Sequence, residues 1–184
     1  MIHYYSYGNT LMDKIAKNFP QTPLAGAEGE MGRFDIANRL FLRLYQASNL
    51  LHKTGTRAVS EFGATTQQWA VLGALSRPAV HHHGMTVKDL IAFLMVSRQN
   101  LTAVLDRLEG AGLVERVRIV GDGRLRHARL TAEGDRIWSE MLTSIRGYYE
   151  GVLTGFSTEE CLLLFRLLDR LRDSLSRIAG PEGE

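Results

Sequence analysis

Four arginines stand close together in the middle of this chain, Arg116 and Arg118, then Arg124 and Arg126. Each pair is spaced by two, so its members share one face of an extended strand. Between them lies Gly121-Asp122-Gly123, a hairpin signal flanked by two runs, Val114–Val120, rich in β-branched residues, and Arg124–Leu130. Arg124 follows the turn directly and projects from the tip, where a guanidinium can enter the negative minor groove of A·T-rich duplex DNA. Asp122 is placed to bond the turn backbone or to orient Arg124. An exposed hairpin kept soluble by its arginines is the plainer reading of the same residues.

Just upstream, Ser97 can cap a helix that ends near Gly110 or Gly112. Leu101, Val104, Leu105 and Leu108 share one face and pack inward; the other face carries Gln99, Asn100, Thr102 and Ala103, flanked by Arg98 and Arg107. Gln and Asn pair bidentately with adenine, Thr and Ala methyls meet the thymine methyl, and a helix N-terminus attracts phosphate. Alone, that face is also an ordinary polar helix surface. Next to a basic hairpin it points to DNA, with Ser97, Arg98, Gln99, Asn100, Thr102, Ala103, Arg107, Arg116, Arg118, Asp122, Arg124 and Arg126 as the contacting set.

Periodicity supplies the elements that must hold these residues. Residues 1–33 form a head, with a short helix capped by Asn9 or Thr10 and stopped by Pro20, then a loop from Thr22 to Gly32. A long helix follows from about Phe34 to Phe62, its stripe made by Ile36, Leu40, Leu44, Ala47 and Leu51, with Gly63 as C-cap. Thr65–Leu75 is a second helix with Trp69, Val71, Leu72 and Leu75 inward. Pro78 and His81-His82-His83-Gly84 mark a loop, after which Thr86 and Asp89 open a third helix through Met95. Beyond the hairpin, Thr131 opens a fifth helix through about Leu153, and Ser157-Thr158-Glu159-Glu160 is a capping box for a sixth. The chain is thus mainly α with a small β-hairpin wing. Two short helices joined by a turn and followed by a hairpin make a winged helix-turn-helix, whose second helix enters the major groove.

Composition agrees. The 184 residues are 45% apolar and 23% charged, as in ordinary globular proteins. No window approaches the ~18 unbroken apolar residues of a membrane span, and the N-terminus lacks a signal-peptide pattern, so a cytoplasmic protein with no membrane partner is expected. A single cysteine, Cys161, excludes an intramolecular disulfide framework and any cysteine-based zinc site. The net charge of +2 conceals an asymmetry: residues 98–130 carry seven Arg against four Asp and Glu, and residues 131–184 carry six basic against ten acidic residues. A basic middle suits a polyanion partner. No Gly-x-Ser-x-Gly elbow, Walker loop or His-Glu-x-x-His occurs, which argues against an enzyme.

The motifs resemble those of MarR-type transcriptional regulators over about residues 34–175. Gly63-Ala64-Thr65-Thr66-Gln67-Gln68-Trp69-Ala70-Val71-Leu72 is similar to the start of that family's second helix. Leu105-Asp106-Arg107-Leu108-Glu109-Gly110-Ala111-Gly112-Leu113-Val114 resembles the end of its recognition helix, and Asp122-Gly123-Arg124 through Arg129-Leu130-Thr131-Ala132-Glu133-Gly134 resembles its wing. Two departures stand out: Gly123 replaces a frequent second wing arginine, and the head is longer than the family core needs. The resemblance implies a homodimer on a pseudo-palindromic operator. It divides the chain into an N-terminal extension (1–33), a long joining helix (34–63), a winged DNA-binding domain (64–131) and a C-terminal dimerisation region (132–184). The apolar stripe Leu163, Leu164, Leu167, Leu168 and Leu171 agrees, being wider than one helix can bury alone.

The resemblance also implies a small, often aromatic and anionic effector, and a repressor released by an aromatic acid or its thioester is expected; helices three and four look most like those of regulators of aromatic-acid catabolism. Tyr45 and Trp69 can wall such a site, Arg39 and Arg43 can meet a carboxylate, and His52 lies on the edge of the stripe. Oxidant sensing through Cys161 is an alternative, as is a winged domain used only for protein contact. Three consecutive histidines rarely converge on one ion, so neither a metal nor a cofactor is expected.

Overall fold

A computed structural model describes residues 30–118 and 126–180. The expected head helix before Pro20 and the turn Gly121-Asp122-Gly123 lie outside them. The elements run α1 (Glu30–Ala58), a 3-10 turn (Ser60–Phe62), α2 (Thr66–Leu75), β1 (Met85–Thr86), α3 (Val87–Leu94), α4 (Arg98–Gly110), β2 (Val114–Arg118), β3 (Arg126–Leu130), α5 (Ala132–Val152) and α6 (Thr158–Ala179). The chain divides into two compact units, Met1–Leu50 and Leu51–Glu184, with the boundary inside α1. No described helix is long and apolar enough to cross a membrane.

Hydroxyl caps set where helices begin. Thr65, Thr86, Ser97, Thr131 and Ser157 each precede a helix in extended conformation and accept a hydrogen bond from a backbone N–H of its first turn. Each cap contributes about 1 kcal/mol. At Thr65 and Ser157 the bond is reciprocal, with Gln68 and Glu160 returning to the cap's own N–H.

The ends of α1 differ from the expected Phe34–Phe62. The helix starts at Glu30, inside the expected loop, because Gly32 alone costs only about 1 kcal/mol against Ala and does not stop a helix this long. It finishes at Ala58, where Val59 turns away to become completely buried. A 3-10 turn follows, closed by Gly63 in the left-handed region at φ 64°. Within the first unit, α1 leaves Phe34, Leu40, Phe41 and Tyr45 exposed.

The sheet is larger than a hairpin. It has three antiparallel strands in the order β1-β3-β2, with Met85 opposite Ala128 and Val114 opposite Leu130. Sequence reading missed β1 because two residues carry no detectable period. The core of the second unit lies between α2, α3, α4, α5 and this sheet, with Leu72, Leu75, Leu90, Leu101, Leu105, Leu108 and Met141 essentially inaccessible.

One corner ties these elements together. Helix α4 ends in a Schellman arrangement: Gly112 at φ 70° donates to the Glu109 carbonyl and Leu113 donates to that of Leu108. Thr131 returns to the same corner, its hydroxyl donating to the Gly112 carbonyl at 2.6 Å and its N–H to the Leu113 carbonyl at 3.1 Å. Gly134 lies so close that a Cβ there would overlap the Leu113 carbonyl oxygen. Gly134→Ala is therefore expected to destabilise the protein by about 1–3 kcal/mol. Gly110→Ala, at a helical position with open space around it, gains about 0.4–1 kcal/mol. Urea unfolding of both variants checks the contrast; equal midpoints would contradict the close approach.

Candidate nucleic-acid interface

Helix α4 divides as its sequence requires. Leu101, Val104, Leu105 and Leu108 are buried, whereas Arg98, Gln99, Asn100, Thr102, Ala103, Asp106, Arg107 and Glu109 are exposed. Ser97 caps it, accepting from the Asn100 N–H at 3.3 Å. The N–H groups of Arg98 and Gln99 then have no intrahelical acceptor by helix geometry and are available to an anion. Just before the cap, Met95 holds φ 54°, the only left-handed residue other than glycine among those described. That conformation ends α3 and turns the chain into α4.

The strands bring their cations beside this helix with unequal freedom. Arg118, at the end of β2, is exposed, as are Arg98 and Arg107, and none of the three has an ion-pair partner among the described residues. Arg116 is different. Its guanidinium bridges Asp106 Oδ1 at 2.6 Å and Glu109 Oε2 at 2.7 Å, joining β2 to the outer face of α4. Arg116 and Arg118, both expected in the contacting set, thus differ in that the Arg116 fork is held by two carboxylates. Arg126 pairs in register with Arg118 across the strands, and Asp122 and Arg124 lie outside the described residues. The register pair Glu115 and Arg129 is also an ion pair, at 2.8 Å, which aligns the two strands.

The residues expected to meet a small acid fare differently from one another. In the first unit Arg39 pairs with Asp35 at 2.9 Å, Arg43 donates to Gln46 at 3.0 Å, and Tyr45 is two-thirds exposed. In the second, the His52 side chain is exposed while its carbonyl accepts from the Thr66 hydroxyl. Trp69, expected as an aromatic wall, is only 8% exposed and belongs to the core. Its ring lies edge-on to Tyr148 at 6.0 Å and tilted to Tyr149 at 5.6 Å. Sequence reading passed over both tyrosines, although they continue the buried α5 stripe of Met141 and Ile145. Tyr149 is the exposed member of this cluster. Burial, helped by neighbouring Tyr148, pushes its phenol above the ordinary value, so it is a hydrogen-bond donor at neutral pH.

The histidine loop has an acidic partner remote in sequence. His81 Nε2 lies 2.8 Å from Asp135 Oδ1 of α5, and His127 Nδ1 lies 3.0 Å from the His83 carbonyl. Both contacts brace the loop against the sheet and α5. Cys161 is partly buried in the first turn of α6. No cluster of three or more His, Cys, Asp or Glu suited to a metal occurs among the described residues.

Similarity to known proteins is consistent along most of the chain. The sequence model described as "MarR family" matches residues 62–125. The transcriptional activatory protein BadR of Rhodopseudomonas palustris is 48% identical over 154 residues, which are 83% of this chain and 87% of that protein. Among solved structures, a MarR/EmrR family transcriptional regulator from Acinetobacter sp. ADP1 superposes with a TM-score of 0.68 at 20% identity, covering 76% of this chain and 96% of that one. NadR in complex with 4-hydroxyphenylacetate superposes at 0.59 with 30% identity, covering 71% and 89%.

Base reading and phosphate binding are expected to separate by variant. Gln99→Ala should cost about 1–3 kcal/mol of discrimination between operator and random DNA and leave the salt dependence alone. Arg118→Ala should weaken both DNAs alike and lower the slope of log K against log[salt] by about one unit. Fluorescence anisotropy across a salt series measures both; identical behaviour of the two variants would refute the division of labour.

Proposed function

The chain belongs to the MarR family and is a DNA-binding transcriptional regulator, and from that premise we propose a homodimer on a pseudo-palindromic operator, controlled by a small aromatic acid or its thioester. One α4 enters each major-groove half-site, the half-sites lying roughly 34–36 Å apart. The observation that carries this reading is α4 itself: four buried aliphatic side chains behind, and Gln, Asn, Thr, Ala and exposed Arg in front. Arg124, two positions after Asp122 in the sequence between β2 and β3, is the candidate anchor in the flanking minor groove. Residues 64–131 are the DNA-binding module.

Residues 132–184 supply the dimerisation region. Support for the C-terminal part comes from α6, a helix of 22 residues with no buried side chain, on which Leu163, Leu164, Leu167 and Leu168 are about half exposed. A helix with that much apolar surface is stable in water only when another surface covers it, and a second copy of the chain offers a symmetric match. Leu163→Glu with Leu167→Glu should convert the dimer to monomer in sedimentation velocity and abolish operator binding; a stable dimer would refute this base.

An aromatic carboxylate is the effector class favoured here, because NadR, at 30% identity, is solved with 4-hydroxyphenylacetate. Tyr149 supplies a phenolic donor, with the Trp69 ring tilted against it, while Arg39, Arg43, Tyr45 and His52 remain separate candidates for ring and carboxylate contact. Isothermal titration with benzoate-type and cinnamate-type acids and their coenzyme A thioesters is expected to give saturable heats with at least one, with Tyr149→Phe weakening it. No heat from any of them would refute the class, and operator release by peroxide that Cys161→Ser abolishes would favour an oxidant instead. Repression fits a dimer that covers a promoter. Activation is the second reading, favoured by the activatory relative at 48% identity. Arg124→Ala should weaken operator binding and lower the salt slope by about one unit; unchanged values would remove Arg124 as the wing anchor.

A further inference from the structure

Gln99, Thr102, Asp106 and Glu109 recur at spacings of three and four along α4, so they form one continuous stripe on the helix face opposite its leucines. The first half of that stripe can read bases. The second half carries two exposed carboxylates. Bare carboxylates within the ~8 Å screening length of phosphates oppose binding. Arg116 Nη2 and Nη1 meet them at 2.6 and 2.7 Å, and its side chain is only 22% exposed despite lying on an edge of the sheet.

We infer that Arg116 is a positioning residue for DNA binding: it offsets half of the charge of Asp106 and Glu109 and fastens β2 to α4, and it does not itself hold a phosphate. The inference rests on α4 being the helix that enters DNA. Two consequences follow from the fork. Asp106, Glu109 and Arg116 together keep one negative charge, which Arg107 of the same half of α4 balances, leaving Arg98 at the N-terminus to set its attraction for phosphate. The wing is also held at a defined angle to α4, since β2 leaves α4 through only three residues, Ala111, Gly112 and Leu113, and the ion pairs close that corner from the other side. A lysine cannot hold both carboxylates in the same planar geometry.

The test compares operator affinity and its salt dependence across a small set of variants, with circular dichroism confirming that each is folded. Arg116→Ala is expected to lower operator affinity at least tenfold with the salt slope unchanged, and Arg116→Lys to fall between it and the native protein. Adding Asp106→Asn and Glu109→Gln to Arg116→Ala should restore most of the loss, because the uncompensated charges are gone. Asp106→Asn with Glu109→Gln in the presence of native Arg116 frees a cation beside the groove; binding to random DNA should tighten and its slope steepen by about one unit. That double variant retains Arg116 and decides the matter even if Arg116→Ala fails to fold. A slope lowered by about one unit in Arg116→Ala, with no rescue by the triple variant, would make Arg116 a phosphate contact and overturn the inference. So would a double variant indistinguishable from native protein. Gln99→Ala, titrated alongside, tests α4 separately: lost discrimination there without rescue overturns only the role of Arg116, whereas full discrimination overturns the placement of α4 and this inference with it.

Discussion

The way α4, the strands and α5 join depends on the carbonyl pair of Gly112 and Leu113. These two groups receive the hydroxyl and the N–H of Thr131, and the Leu113 carbonyl also abuts the bare Cα of Gly134. The end of α4, the start of β2, the end of β3 and the start of α5 therefore meet at one backbone junction with almost no slack. Thr131 has two duties there, because its hydroxyl also accepts from the Gly134 N–H and so caps α5. A small residue at 134 and a hydroxyl at 131 are requirements of the same contact, approached from the two sides of a helix terminus.

Around this junction the second unit is assembled by ordinary burial. Leucines from α2, α3 and α4 fill the centre, and Met141 and Ile145 of α5 close it. Electrostatic contacts act at the edges, where they choose geometry more than they add stability. Exposed ion pairs are each worth about 0–1 kcal/mol. Glu115 with Arg129 selects a strand register, and Arg116 selects an angle between strand and helix. Helix α6 obeys a different logic, carrying its apolar surface outward.

What could be read from sequence was what is encoded locally. Caps, helix periodicity and the hairpin need only neighbours within four residues, so five helix starts, the buried face of α4 and the alternation of the strands were legible. Longer-range facts were not. The pairing of Arg116 with α4 spans seven to ten residues across a helix end, and nothing in the spacing of charges tells a paired arginine from a free one. The same holds for His81, whose acidic partner is 54 residues away, and for Trp69, which is enclosed by tyrosines from α5. The end of α1 was missed for a related reason: Val59 leaves the helix because a distant core accepts it.

The two tryptophans carry a consequence of their own. Trp69 is packed against Tyr148 and Tyr149, and the Trp138 ring covers Gly73 so closely that a Cβ on that glycine would lie 2.9 Å from it. Both indoles thus straddle the seam between α2 and α5, one from each side. With only two in the chain, ultraviolet emission comes almost wholly from that seam. The protein carries its own optical gauge, in which tyrosine-to-indole energy transfer and the emission maximum follow the separation of two helices without any added dye.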